Sequence, residues 1–538
     1  MTIDSEPQNE MCLLSLPHKT NDAAEPNWIR LLTVVVFALA ILAIGITLTC
    51  RLMWADEFLS LYTARVASIG DLLHIQANYP VALDPLGYPL LAHIAISLFG
   101  ANAIAMRLPS AIGFVLMMAC VCVSVRRVYS ARAGILAMAM LLTTSSLYYA
   151  SEARPYGLLL GFSAAVLTAW QAAIRQNNRI IPLLCLAGAI FACLECHYFA
   201  LLIPAALVLL ECIRTARYKK FDFPVILAVL AGSTAVLTWL PFLHAASQYR
   251  THYYTRISWR TLDIIHAICQ AYVSILLISK SNTQMLLIAV LVILSAVGLR
   301  SAIRAWRDRP TNRLTDDELA FIVFAALPVG GVFLSLLTSG AFEPRHTIEA
   351  VIGICAITAG LLRRIIRRNL VFICLITALA GCPVLQSVHI ASANIIHHRL
   401  LQTLTLPPSI SDSQTNIFVN DLSELYVLTY YAPPNLAKRL WYAEDKEQGL
   451  RWTGTDTSDR IAENLQKFTN LQILSYNSIR SCGAPQIIWA AVSIHAWLPQ
   501  ELAAEHFRIS AIGDIDGGVL EVTSPTKETV CQNPVQNQ

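Results

Sequence analysis

Four short stretches bring together residue types that move protons and hold phosphates. Asp56 and Glu57 stand side by side in Trp54-Ala55-Asp56-Glu57-Phe58, directly after a long apolar run. Glu152 and Arg154 share Ser151-Glu152-Ala153-Arg154-Pro155-Tyr156, a few polar positions between two further apolar runs. Glu195-Cys196-His197-Tyr198 and Phe342-Glu343-Pro344-Arg345-His346 occupy similar places further along. A carboxylate within hydrogen-bond reach of a hydroxyl serves as a general base. Guanidinium groups such as Arg154 and Arg345 make bidentate contacts to phosphate. Asp56 and Glu152 also offer the hard oxygens that a divalent cation takes. Together these types suit displacement of a phosphate leaving group. A plainer reading stands beside each: Asp56-Glu57 as a solvated loop start, and Glu152-Arg154 as an ion pair capping the helix that Pro155 opens.

The elements that must position these residues are set by composition. Of 538 residues, 56% are apolar or aromatic and 14% charged. A soluble domain is about a quarter charged, so the chain reads as a polytopic α-helical membrane protein. A cytosolic enzyme, a disordered scaffold and a typical nucleic-acid binder are excluded. With about 20 apolar residues per crossing, spans fall near 30–50, 107–125, 132–149, 156–174, 179–194, 197–213, 223–242, 284–300, 318–338, 346–362 and 369–388. Apolar stretches 86–100 and 262–280 are ambiguous; they bring the expectation to about 11 to 13 transmembrane helices.

Loop charge sets the orientation. Five alternate loops, around 126–132, 175–179, 214–220, 300–313 and 363–368, together hold 18 Lys and Arg, while the short loops opposite hold little beyond Arg154 and Arg345. Basic short loops are cytoplasmic. Placing 262–280 across the membrane would send the last two clusters outside, so it reads as interfacial or re-entrant, as does 86–100. The expected layout is a cytoplasmic segment 1–29, a membrane domain 30–392 with a long first outer loop 51–106, and an extracytoplasmic domain 393–538. The first apolar run shows no small-x-small cleavage pattern and is read as a retained helix. In the tail, strand-like runs at 416–420, 440–442, 471–475, 486–491 and 519–522 alternate with helix-like runs at 422–430, 458–468 and 499–506, which predicts a small α/β domain. The chain has fourteen cysteines. Most lie in apolar runs and act as small hydrophobes. Cys482 and Cys531, in the tail, are the pair that a disulfide would join in an oxidising compartment.

The ordered set of motifs resembles a known family. A first helix is followed by Asp56-Glu57, a long outer loop, Leu98-Phe99-Gly100 and Met106-Arg107-Leu108-Pro109-Ser110-Ala111. Then come a basic turn, Ser151-Glu152-Ala153-Arg154-Pro155-Tyr156, His197-Tyr198 and Pro344-Arg345-His346. This order, over about 1–390, is similar to the GT-C superfamily of polyprenyl-phosphate-sugar-dependent glycosyltransferases, in the branch of the bacterial aminoarabinose transferase and the protein O-mannosyltransferases. Tyr430-Tyr431-Ala432-Pro433-Pro434 resembles the extracytoplasmic domain of many members. The resemblance implies a GT-C-like fold in a bacterial inner membrane, a polyprenyl-phosphate-linked sugar donor and a glycan, lipid or protein acceptor. It implies Asp56 as preferred base, with Glu57 either its partner or only a loop residue, and Glu152 as a second catalytic carboxylate. Arg154, Arg345, Tyr156, His197 and His346 would bind the donor phosphate. Asp84, Tyr88 and His93 would belong to the acceptor or first-loop side. Many members carry His-Pro-Pro-Leu-Tyr-Tyr in that loop, where this chain has Asp84-Pro85-Leu86-Gly87-Tyr88-Pro89; the acid adds a metal ligand or alters acceptor choice.

Two rivals are weighed on the same residues. Cys193-Leu194-Glu195-Cys196-His197 has the spelling of a c-type haem attachment, but no haem-pocket signature surrounds it and no haem is expected. A transporter or flippase for lipid-linked sugars is the alternative from another class. Such proteins concentrate charge on broken helices near the midplane, whereas here the charges gather at span ends on one face.

Overall fold

A computed structural model describes residues 26–249, 252, 256–276, 282–308, 314–338, 340–405, 415–481, 487–490, 493, 496–512 and 519–523. The expectations for 1–25, for Arg309 and Arg313, and for a Cys482–Cys531 disulfide lie outside the described residues. The membrane domain is helical: α1 (Asn27–Cys50), α2 (Ala55–Ala64), α3 (Ile69–Asn78), α4 (Gly87–Phe99), α5 (Ala103–Val128), α6 (Ala131–Leu141), α7 (Ser146–Ala150), α8 (Tyr156–Arg175) and α9 (Ile180–Leu194). It continues with α10 (Leu202–Tyr218), α11 (Phe223–Ser233), α12 (Leu240–Ser247), α13 (Thr261–Leu276), α14 (Asn282–Asp308), α15 (Asp316–Ala325), α16 (Leu327–Leu337), α17 (Ala350–Leu362) and α18 (Asn369–Gln402). Among the described residues 6 stretches can cross a membrane by length and composition, and the pair α15–α16, bent by 50°, makes a seventh. The other expected spans coincide with α6, α9, α14 and α17, of which α6, α9 and α17 are shorter apolar helices. The chain is a multi-pass membrane protein.

The expected span 132–149 is one helix only as far as Leu141. The sequence Thr143-Thr144-Ser145-Ser146 then turns its hydroxyls back on the chain: Thr143 Oγ1 donates to the Met140 carbonyl at 2.8 Å and Thr144 Oγ1 to that of Leu141 at 2.8 Å. Hydroxyls that compete for backbone carbonyls weaken a helix at that point. Ser145 N–H is taken up by the Ile275 carbonyl of α13 at 3.0 Å, so the break is satisfied from a neighbour.

One crossing places the site. Helix α8 opens with Gly157-Leu158-Leu159-Leu160-Gly161, a pair of small residues one turn apart that lets two helix backbones touch. A methyl carbon at Gly161 would collide with the carbonyl oxygen of Gly113 in α5, and one at Gly157 with that of Ser110. The Ser110 hydroxyl donates to the Arg154 carbonyl. The 151–155 turn is thereby pressed onto the start of α5.

After residue 402 the described chain forms a 6-stranded sheet ordered β3-β2-β1-β4-β6-β5. β1 (Ile417–Val419), β2 (Leu440–Glu444), β3 (Ile473–Ser475) and β4 (Ile487–Trp489) run parallel, and β5 (Arg508–Ile512) and β6 (Val519–Thr523) close one edge antiparallel. Short buried strands such as Ile417–Val419 fit a sheet covered on both faces. Strand β5 and the helices Lys446–Thr453 and Tyr476–Ser481 are additions to the expected pattern. The helix Leu422–Tyr431 carries Tyr426, Tyr430 and Tyr431 onto Phe58 of α2, with ring centroids 5.4 to 6.3 Å apart.

Candidate active site

Helix α1 ends at Cys50, and after four intervening residues α2 begins at Ala55 with Asp56 and Glu57 in its first turn, where carboxylates suit the helix dipole. The two neighbours part company. Glu57 is fully buried and takes a bidentate contact from Arg107 of α5, Nε to Oε1 at 2.7 Å and Nη2 to Oε2 at 2.8 Å. The Ala153 N–H donates to the same Oε1 at 2.7 Å. Arg107 spends its remaining donors on the carbonyls of Leu48, Arg51 and Leu52. This clamp ties the end of α1, the start of α2, α5 and the 151–155 turn into one unit. Burial alone would push the Glu57 carboxyl up, but the hydrogen bond and charge of Arg107, with Arg51 and the Ala153 N–H, hold it below its ordinary value.

Asp56 faces the other way and is part-exposed. Its Oδ2 lies 3.1 Å from Arg345 Nη1. A second pair forms beside it, Asp84 Oδ2 to Arg154 Nη1 at 3.1 Å, with both side chains buried. Burial raises the Asp84 carboxyl, and Arg154 offsets part of that. Asp84 is held there because the Gly87 N–H donates to the Glu195 carbonyl at 2.9 Å, which docks the first loop on the 195–197 turn. That approach leaves no room for a side chain, since a Cβ at Gly87 would collide with the Glu195 backbone.

Glu152 sits between these pairs, fully buried. Its Oε1 accepts from the Trp54 indole at 2.7 Å, while Oε2 has no hydrogen-bond partner among the described residues. Burial pushes its carboxyl up to about 7, against the pull of Arg51. A buried, half-satisfied carboxylate is costly, so one oxygen is available to a group that enters. Tyr156, His197 and His346 form a wall, with ring centroids 5.5 Å apart from Tyr156 to His197 and 5.0 Å from His197 to His346. The Arg345 guanidinium lies over both Trp54 and Tyr156, at 5.9 and 5.8 Å. Beyond the histidines opens a mostly apolar cavity of about 720 Å³, whose walls include Leu83, Trp239, Leu243 and Leu334.

The structure therefore gathers Asp56, Asp84, Glu152, Arg154, Tyr156, His197, Arg345 and His346. It seats the other three expected residues differently. Tyr88 is buried and donates to the Met106 carbonyl at 2.7 Å. His93 is buried with Nδ1 at 2.9 Å from the Ala64 carbonyl, a tether for the end of α2. Glu57 belongs to the clamp. Arg107, Trp54 and Arg51 have no assigned role in the sequence reading. A cation at the head of an apolar run, as Arg107 is, needs a named partner, and that was the available signal. Arg51 lies over the Tyr148 ring at 4.3 Å and 3.5 Å from Glu57.

No group of three or more His, Cys, Asp or Glu able to hold a metal ion occurs among the described residues. Asp56 is engaged by Arg345 and Glu152 by Trp54. Cys193 and Cys196 are buried in packing, the former 3.2 Å from the Ser163 hydroxyl.

Residues 84–244 match the family model described as dolichyl-phosphate-mannose-protein mannosyltransferase. No curated protein matches the sequence. Among solved structures the chain is similar to ArnT from Cupriavidus metallidurans in the apo state, at 12% identity and TM-score 0.56, over 92% of this chain and 97% of that one. ArnT from the same organism bound to undecaprenyl phosphate gives 14% identity and TM-score 0.54, over 94% and 99%. The fold that the ordered motifs imply is borne out: the chain has the GT-C fold of the ArnT structures, and residues 84–244 carry the mannosyltransferase family match.

Proposed function

We propose that this chain is a membrane glycosyltransferase that moves a sugar from a polyprenyl-phosphate donor to an acceptor hydroxyl, working on the outer face of a bacterial inner membrane. The observation that carries the reading is the pairing of Asp56 with Arg345 and of Asp84 with Arg154 around the half-satisfied Glu152, beside an apolar cavity. Asp56 and Asp84 neutralise both guanidinium groups. An entering lipid phosphate would compete for Arg345 and Arg154, as charge-assisted contacts to phosphate are among the strong ones. That exchange frees Asp56 at the moment a base is needed. The acceptor oxygen then bonds to the anomeric carbon as the bond from that carbon to the phosphate oxygen breaks. The hydroxyl proton passes to Asp56, and the polyprenyl phosphate leaves with its charge held by the two arginines. Tyr156, His197 and His346 wall the phosphate side, and the cavity beyond them suits the prenyl chain. Glu152 keeps one oxygen for the sugar or acceptor.

The experiment is turnover by the purified chain of a panel of undecaprenyl-phosphate hexoses, pentoses and aminopentoses, read as released undecaprenyl phosphate. Asp56→Asn keeps the size and removes the base, and should cost ~10²–10⁴-fold with an unchanged melting temperature. Near-normal transfer by Asp56→Asn would return the carboxylate to a solvated loop start. The orientation proposal rests on the loop charges. Cysteine labelling should find 363–368 on the cytoplasmic side and the tail outside, and a cytoplasmic tail would sink both orientation and site.

A further inference from the structure

Helix α3 turns Leu72, Ile75 and Gln76 into the protein, three buried positions at helical spacing. Two are apolar, as a buried stripe requires. The third is an amide, and Gln76 is only 2% exposed. A polar group placed there costs stability unless its hydrogen bonds are made. Its Nε2 donates to the Ala82 carbonyl at 3.2 Å and to the Asp84 carbonyl at 2.7 Å. Those two carbonyls settle the orientation of the amide, since reversal would set oxygen against oxygen. Its Oε1 has no hydrogen-bond partner among the described residues. The bonds that this side chain makes all serve the loop after α3.

That loop joins α3 to α4 and carries Asp84. Its two ends are tied elsewhere. The Tyr249 hydroxyl donates to the Pro80 carbonyl at 2.8 Å, and the Gly87 N–H to the Glu195 carbonyl at 2.9 Å. Of these ties, the one from Gln76 reaches the Asp84 backbone itself. Pro85 adds stiffness, because a residue before proline is biased to extended backbone. With its backbone pinned, the Asp84 carboxylate moves through its own side-chain torsions. It can leave Arg154, 3.1 Å away, and come back to the same place.

A returning carboxylate matters at one step of the proposed transfer. The donor is a phosphodiester with a single negative charge, whereas a phosphomonoester product carries about 1.5 to 2. Arg154 and Arg345 therefore hold the product more firmly than the donor. The Arg154 Nε, which has no hydrogen-bond partner among the described residues, offers that phosphate a further donor. Asp56 has by then taken the acceptor proton and lost its charge. Of the two carboxylates paired with these arginines, Asp84 is the one left to compete.

We infer that Gln76 is a positioning residue: by pinning the Asp84 backbone it keeps that carboxylate poised to reclaim Arg154, which speeds departure of the polyprenyl phosphate product. The inference rests on the transferase reading and concerns the step after transfer.

The test measures binding of undecaprenyl phosphate to the full chain in nanodiscs, together with kcat and KM for whichever undecaprenyl-phosphate sugar is turned over. Gln76→Met keeps the length of the side chain and removes the amide. It should bind undecaprenyl phosphate about tenfold more tightly, on the scale of one or two net hydrogen bonds. Turnover should show kcat and KM falling together, with stronger product inhibition. A merely loosened fold would do the reverse, raising KM and weakening the product. Asp84→Asn should also tighten product binding. Adding Gln76→Met to it should change nothing more, because the tether then holds no charge. Gln76→Leu takes the place of Gln76→Met if that variant does not fold. Unchanged or weaker product binding in a folded Gln76 variant overturns the inference, as does the same result in Asp84→Asn or further tightening in the double variant. A native chain that binds undecaprenyl phosphate and transfers no sugar, with the same tightening in Gln76→Met, would sink the transferase reading and leave Gln76 in control of the phosphate site. A native chain that binds none would sink both.

Discussion

The adjacent acids Asp56 and Glu57 are equivalent on paper and opposite in the molecule. Successive helical residues point about 100° apart, so one carboxylate faces Arg107 in the protein interior and the other faces Arg345 at the site. Removing one member of a buried pair strands the other charge, at a cost of about 3–5 kcal/mol. Glu57→Gln and Arg107→Met should therefore lower the melting temperature and the yield of folded protein, whereas Asp56→Asn should lower turnover alone. Glu152 adds a pH signature. Its folded value of about 7 lies above the ordinary carboxylate value because burial disfavours the charge. The folded chain thus holds a proton that the unfolded chain has released, and this residue takes stability away as pH rises from about 4.3 towards 7. If the ionised form is the working one, transfer should climb through pH 7 in the native chain. That limb should be missing from the pH profile of Glu152→Gln.

At the scale of elements, spacing and chemistry carried different amounts of information. The convergence of Asp56, Glu152, Arg154 and Arg345 was legible because each lies at the end of an apolar run, and run length fixes the height of its ends in a bilayer. Which atoms meet was not legible. The tethering of His93 to a carbonyl and of Tyr88 to Met106 depends on how the first loop folds back, and apolar periodicity says nothing of that. The break after Leu141 was missed because the apolar count runs on through Thr143 and Thr144, whose hydroxyls end the helix without making it less apolar overall. Strand β5, Arg508–Ile512, escaped because it is an edge strand, on which Arg508, Ser510 and Ala511 are exposed and Ile509 is only part-buried. The α5–α8 crossing gives the sharpest element-level prediction. Gly161→Leu must push the two backbones apart, and overpacking of this kind costs about 1–3 kcal/mol or more. The 151–155 turn should then lift off α5. Thermal unfolding should shift down and transfer fall with it, while Gly188→Leu, at an open position of α9, should leave both unchanged.

For the whole molecule, the tail is bound into the site's scaffold. The Met53 N–H, three residues before Asp56, donates to the Tyr431 hydroxyl at 3.0 Å, and the Asn464 side chain reaches the Pro80 carbonyl at 3.0 Å, four residues before Asp84. Both contacts fix backbone that carries a site carboxylate. A lost partner for a half-buried N–H costs about 1–3 kcal/mol. Tyr431→Phe, which keeps the ring against Phe58, should thus reduce turnover several-fold with donor binding preserved. Deleting 400–538 should impair folding or acceptor use while donor binding stays measurable. An isolated tail that transferred sugar would contradict the assignment of chemistry to the membrane domain.

The glycine crossing also bears on how such a protein diversifies. Where α5 and α8 touch, backbone meets backbone, and the separation of α5 from the 151–155 turn is set by peptide groups that every sequence shares. Side-chain replacement cannot tune that gap; it can only break it. A lineage, or an engineer, seeking a new sugar or acceptor therefore has its freedom elsewhere, in walls made of side chains such as Leu83, Trp239 and Leu243. Variant libraries confined to those walls should yield altered selectivity among folded proteins, and libraries at 110–113 and 157–161 should yield mostly unfolded ones.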